Sequence, residues 1–181
     1  MKNTALLLVI AVLGGIAGVL LGRQFAAPAP PPAPSGVNQV RTGDPAPALI
    51  WRTLDGTQTG LGALQGRPVL INYWASWCGP CIREMPVLSA FAAAQGESGV
   101  QVLGVAVDRE ASVREFLGRV PVSYPIALEE PNMADSSIIM GNDQNVLPFS
   151  VLIGADGRVR AHKFGDFSAS TLQSWVSANA P

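Results

Sequence analysis

Trp74-Ala75-Ser76-Trp77-Cys78-Gly79-Pro80-Cys81 decides how this chain is read, because it holds the only two cysteines of 181 residues and sets them two residues apart. Taken alone, Cys-x-x-Cys fits half of a metal site or a redox dithiol. It is a poor structural staple, since the loop it closes is too short to restrict the unfolded chain much. A tetrahedral metal site needs four ligands, and besides Cys78 and Cys81 the chain offers only the single histidine, His162. His162 itself reads as an outward residue of a hairpin strand. A reactive dithiol is therefore expected, with no metal and no cofactor.

The segments on either side place the pair. Val69–Trp74 is a mostly apolar run of the length of a central strand buried on both faces, and the dithiol sits at its end. From Pro80 to Gln95 the pattern turns helical, with Ile82, Met85, Leu88 and Phe91 at three-residue steps, Gly96 as the stop and Pro86 inside the helix as a bend. Val100–Val107 predicts a second buried strand, parallel to the first through a right-handed crossover. Asp108 is the expected cap of a further amphipathic helix carrying Val113, Phe116, Leu117 and Val120.

Upstream, Leu49–Leu54 followed by Asp55-Gly56 predicts a small hairpin. Downstream, Tyr124–Leu128 suggests a short strand and Met133–Met140 a short helix. Ser150–Gly154 and Arg158–Lys163 flank Ala155-Asp156-Gly157 as a second hairpin, and Ser168 caps a final helix through Leu172, Trp175 and Val176. The order predicts one mixed α/β sheet with helices on both faces.

The amino terminus has a different character. Hydrophobic residues make up 48% of the chain, and the excess is local, in the uncharged run Ala5–Leu21. As a helix that run measures ~26 Å, near the lower limit for crossing a bilayer. Ala27 and Ala29 are each followed by proline, a poor cleavage junction, so an uncleaved anchor is expected over residues 1–25. Lys2 before the run and Arg23 after it give a slight charge bias that puts the remainder outside the cytoplasm. Gly14, Gly18 and Gly22 repeat at one-face spacing, which reads as ordinary membrane-helix glycine rather than a dimer seam. Residues 26–43 form a proline-rich linker, in which Ala26–Pro34 reaches roughly 28 Å if extended. The net charge of −1, without any lysine or arginine run, offers nothing to nucleic acid.

Trp77-Cys78-Gly79-Pro80-Cys81 after a buried strand, Pro86 behind it and Val146-Leu147-Pro148 ahead of a hairpin together resemble a thioredoxin-fold disulfide oxidoreductase. Within that superfamily the chain is similar to the membrane-tethered TlpA/ResA-like branch, on Asn72-Tyr73-Trp74-Ala75-Ser76, Cys81-Ile82-Arg83-Glu84-Met85-Pro86 and the added hairpin. The resemblance implies a thioredoxin-like domain over residues 44–181, in the inner membrane with the catalytic domain on the periplasmic side. It implies a thiol-disulfide oxidoreductase acting on protein disulfides and supplied by a membrane electron donor. Reduction of selected exported proteins, in the manner of cytochrome c maturation, is the activity it suggests. An oxidase or isomerase, and a tethered binding module without electron transfer, are the alternatives.

Cys78 at a helix start is the expected nucleophile, because backbone N–H groups and the dipole favour its thiolate. Cys81, one turn inside, is the resolving thiol. Gly79 admits a partner chain, and Pro80 suits a first-turn position that has no N–H partner to lose. The Gly-Pro pair resembles reducing thioredoxins, near about −270 mV, more than oxidants near about −120 mV. In thioredoxins an acid on the preceding strand assists the resolving thiol, but here that position is Asn72. Glu84, three residues after Cys81 and on its helix face, is the expected replacement, with a solvated first-turn carboxylate that stabilises the helix terminus as the alternative. The resemblance also makes Pro148 a cis proline and Leu147 a backbone edge for an extended substrate. Trp77 is expected to cover the dithiol and touch substrate. Phe149, where the family often has threonine, bears on substrate preference.

Overall fold

The computed structural model describes residues 39–64, 66–132 and 135–180. The expected anchor over residues 1–25 and residues 26–38 of the expected linker lie outside them. Among the described residues no helix is long and apolar enough to cross a membrane.

Alternation along the strand β3 (Val69–Trp74) sets the architecture, because all six of its residues are buried and successive side chains must serve opposite layers. Leu70 and Trp74 enter one core with Met85, Leu88, Phe91 and Phe116. Val69, Ile71 and Tyr73 enter a second with Trp51, Val105, Phe149 and Val151. Only a central strand covered on both faces requires such a run.

The remaining elements follow in chain order. β1 (Ile50–Thr53) and β2 (Gln58–Gly60) make the first hairpin, with Gly56 at φ +85 in its turn, and a 3-10 turn (Leu61–Leu64) leads to β3. α1 (Gly79–Ala94), β4 (Gln101–Val107), α2 (Glu110–Arg119) and β5 (Ile126–Glu129) come next. α3 (Ser136–Ile139), β6 (Phe149–Ile153), β7 (Val159–Phe164) and α4 (Ala169–Asn179) complete the fold. The seven strands lie in the order β2-β1-β5-β4-β3-β6-β7, with β3, β4 and β5 parallel and the other pairs antiparallel.

The expected elements are present with small shifts at their ends. α1 runs through Pro86, which sits on its exposed side, where the lost hydrogen bond is least costly. Ser168 caps α4 in a reciprocal box with Thr171. The short helix expected over Met133–Met140 is confined to α3, with Asp135 as its cap. Asp108 caps nothing: α2 begins after Arg109, without a side-chain cap bond, and the Asp108 carboxylate is engaged elsewhere. His162 is not an outward residue either. Its ring stacks on Phe149 at 5.9 Å and 14°, its Nε2 is enclosed, and burial pushes the imidazole below its ordinary value.

Candidate active site

β3 ends one residue before the turn that carries the dithiol, and the turn is pinned at both of its ends. Cys78 N–H donates to Ala75 O at 3.1 Å. Ser76 donates through both its N–H and its hydroxyl to Asp108 Oδ2, at 2.8 and 2.6 Å. Parallel pairing places Trp74 beside Ala106, so the residues just past each strand end become neighbours. Asp108 is therefore a positioning residue for the dithiol turn.

Cys78 is the N-cap of α1, and Cys81 N–H donates to Cys78 Sγ at 3.3 Å. The two sulfurs are joined as a disulfide. A charged or polar N-cap atom satisfies an otherwise orphaned N–H, and the same bond favours a thiolate once the disulfide opens. Cys81 has no exposed surface and Cys78 has 5%. An incoming group thus reaches Cys78 first. Gly79 is exposed, and a Cβ there would meet nothing closer than Arg83 Nη1 at 4.0 Å. Pro80 lies in the first turn of α1.

Glu84 is fully buried one turn behind Cys81. Its Oε1 accepts from Asn72 Nδ2 at 2.8 Å, and its Oε2 from Phe167 N–H at 3.0 Å. Asn72 Nδ2 also donates to Ser150 Oγ at 3.0 Å. Burial dominates and pushes the carboxyl up to about 7; the Asn72 and Phe167 bonds oppose it, Asp166 adds to it and Lys163 opposes it slightly. The loop that brings Phe167 here is folded back by Lys163, whose ammonium donates to the carbonyls of Phe164, Gly165 and Asp166 and covers the Phe167 ring at 5.1 Å. An acid that titrates near neutrality can take and return a proton at working pH.

The Leu147-Pro148 peptide bond is cis. Asn142 holds the loop before it, donating to Val146 O at 3.0 Å while accepting from Val146 N–H at 3.1 Å. Pro148 O accepts from Gly165 N–H at 2.9 Å. Trp77 is 72% exposed. It shares with Leu147 a cleft of about 280 Å³, completed by Val107, Pro131, Asp135 and Asn145. Phe149 has no exposed surface and stacks on Tyr73 in the second core, so its side chain does not face this cleft. Sequence reasoning singled out every residue of the dithiol turn but missed Asp108, Ser150, Asn142 and Phe167. Of these, only Asp108 carried a signal, and that signal was read as a helix cap.

A seven-stranded sheet of this topology with a Cys-x-x-Cys pair capping the helix after its central strand defines a thioredoxin-fold thiol-disulfide oxidoreductase. The Redoxin family model matches residues 41–175, and the chain belongs to that family. Similar proteins include the thiol-disulfide oxidoreductase ResA of Bacillus anthracis, 26% identical over 185 aligned residues and covering 100% of both chains. ResA of Geobacillus thermodenitrificans is 27% identical over 143 residues, 78% of this chain and 80% of that one. Among solved structures, the thioredoxin-related protein of Neisseria meningitidis serogroup B superposes with a TM-score of 0.64 at 32% identity, over 72% of this chain and 97% of that one. The Chlorobium tepidum protein assigned as a thiol:disulfide interchange protein DsbE gives 0.69 at 27% identity, over 77% and 98%. The chain is accordingly an enzyme that exchanges protein disulfides through Cys78 and Cys81.

Proposed function

We propose that this enzyme is tethered to the membrane by residues 1–25, faces the extracytoplasmic side and passes electrons to disulfides of selected exported proteins, cytochrome c precursors among them. The observation that carries the reductive direction is the setting of the dithiol. Cys78 Sγ receives one backbone N–H, no cation pairs with it among the described residues, and the buried group behind Cys81 is an acid. A strong oxidant needs its reduced thiolate strongly stabilised, and this setting does not supply that. The tether rests on the Ala5–Leu21 run, and the substrate class on the resemblance of the Cys78–Pro86 motif and its added hairpin to the TlpA/ResA-like branch.

In the reaction, Cys78 thiolate attacks one sulfur of the substrate disulfide. That bond breaks, one substrate thiolate leaves, and a mixed disulfide to Cys78 remains. Cys81 gives its proton to Glu84 and attacks Cys78 Sγ. The mixed disulfide breaks, the second substrate thiolate leaves, and Cys78–Cys81 closes, so that two electrons have passed to the substrate. The cleft between Trp77 and Leu147 holds the substrate segment while this happens. A membrane donor of thiol electrons then reopens the disulfide.

Two measurements test this. Equilibration with a thiol buffer should give a potential near or below about −270 mV; a value near about −120 mV would make the enzyme an oxidant. A Cys81→Ser variant in intact cells should accumulate mixed disulfides with exported thiol proteins. Capture of cytosolic proteins alone would overturn the location.

A further inference from the structure

Among the buried polar atoms without a hydrogen-bond partner, one belongs to the residue that donates to Glu84: Asn72 Oδ1, on a residue with no exposed surface. Both hydrogens of the same amide are used, one on Glu84 and one on Ser150. Native proteins rarely leave a buried carbonyl oxygen idle, and an exception asks for a reason.

The reason follows from what faces Glu84. Phe167 N–H can only donate, so Glu84 Oε2 must remain an acceptor whether or not the carboxyl carries a proton. An arriving proton therefore settles on Oε1. There it meets Asn72 Nδ2, which is also a donor. The last torsion of asparagine is broad and roughly two-fold, so a half-turn exchanges Oδ1 and Nδ2 with little change of shape. After the turn, Oδ1 accepts from Glu84 Oε1–H. The Ser150 hydroxyl, able to donate as well as accept, swings its own hydrogen toward the same oxygen.

We infer that Asn72 is a reversible positioning residue for Glu84, presenting its amide hydrogens to the ionised carboxylate and its carbonyl oxygen to the protonated one, with Ser150 reversing its own bond in step. The inference rests on the reading that Glu84 takes the proton of the resolving thiol, and it gives that proton an acceptor at Asn72 Oδ1, at the cost of turning the amide hydrogens toward the place where Oδ1 has no partner. An aspartate at this position would have no donor for the ionised state, and a leucine would serve neither. Other groups act on Glu84 without reversing. They are Lys163 on β7 and Asp166 after it, the latter paired with Arg83 on α1, while the Tyr124 hydroxyl ahead of β5 is itself pushed up, by burial first and by Glu84 second.

The test follows the Asn72 side-chain amide and the Glu84 carboxyl carbon by NMR across pH. It uses the full-length oxidised protein, in which the closed disulfide removes thiol titration. The amide resonances should move with the same midpoint as the carboxyl. Glu84→Gln should hold them at their low-pH position at every pH, because the new amide's oxygen takes Phe167 N–H and its NH₂ turns toward Asn72 Oδ1. Asn72→Leu should raise the Glu84 midpoint by less than about one pH unit, because the bond to the protonated carboxyl is lost along with the stronger bond to the ionised one. Ser150→Ala should shift it less. A stationary amide through the Glu84 titration would mean that Oε1–H points away from Asn72 and would overturn the inference. So would a rise of about two pH units in Asn72→Leu, which would mean that Asn72 serves the ionised carboxylate alone. The underlying reading fails separately: an unchanged pH profile of thiol alkylation in reduced Glu84→Gln removes Glu84 from the sulfur chemistry but leaves the coupled titration of amide and carboxyl intact.

Discussion

Two polar networks lie on opposite faces of β3, one reached by Asn72 and the other by its neighbour Tyr73, and they hold a glutamate in different settings. On the second-core face, Glu129 accepts from Ser136 N–H at 2.8 Å, from the Ser136 hydroxyl and from Trp51 Nε1 at 3.3 Å, with Tyr73 Oη 3.2 Å from Ser136 Oγ. These bonds join β1, β3, β5 and α3, and Glu129 keeps part of its surface in solvent. On the dithiol face, Glu84 has fewer donors and no solvent. Three donors and partial hydration suit a carboxylate that braces strands; two donors and full burial suit one that exchanges a proton.

The contrast can be broken experimentally, beginning where the effect is largest. Cys78→Ser should reduce disulfide exchange to background in an insulin-reduction assay, because the nucleophile itself is lost, whereas Ser136→Ala on the other face should leave the rate near that of the unmodified protein.

Stability against pH should follow the dithiol-face glutamate. Its folded value, about 7, lies above its ordinary value of 4.5, so the folded state holds the extra proton between them. Its contribution is present in full below about 4.5 and is lost as pH rises through about 7, a change on the order of 3 kcal/mol. Denaturant titrations of the oxidised protein should show that fall, and Glu84→Gln should flatten it.

Ser136→Ala should cost about 1–2 kcal/mol, for the hydrogen bonds lost from the bracing network, equally at pH 5 and pH 8. A pH-dependent cost would erase the distinction between the faces. Smallest in stability is Trp77→Ala, within about 0.5 kcal/mol because the ring is exposed, while KM for a protein disulfide should rise with kcat nearly unchanged. An unaltered KM would remove Trp77 from the substrate cleft.

Local pattern made the frame of the molecule legible. The apolar run Val69–Trp74, the three-residue steps through α1 and the Asp156-Gly157 turn each depend on neighbours in sequence, and each lies where expected. Glu84 was legible for the same reason, since helical spacing puts it among the buried positions Cys81, Met85 and Leu88. Contacts set by strand register were not. Asp108 meets Ser76 only because β3 and β4 run parallel with Trp74 beside Ala106. His162 turns inward because pairing with Val151 puts its ring on the face that Phe149 occupies. Ser150 reaches Asn72 because antiparallel pairing sets the two opposite each other.

The Phe167 N–H that holds Glu84 comes from a residue 83 positions further along the chain. Closing so long a loop is a late event for a growing polypeptide. Cys78 and Cys81 can meet as soon as their own turn forms, but the acid behind them lacks its second donor until the segment leading into α4 has docked. A nascent chain therefore carries a closed or open dithiol before Glu84 has both of its donors, and the setting that raises this carboxyl waits for the segment leading into α4.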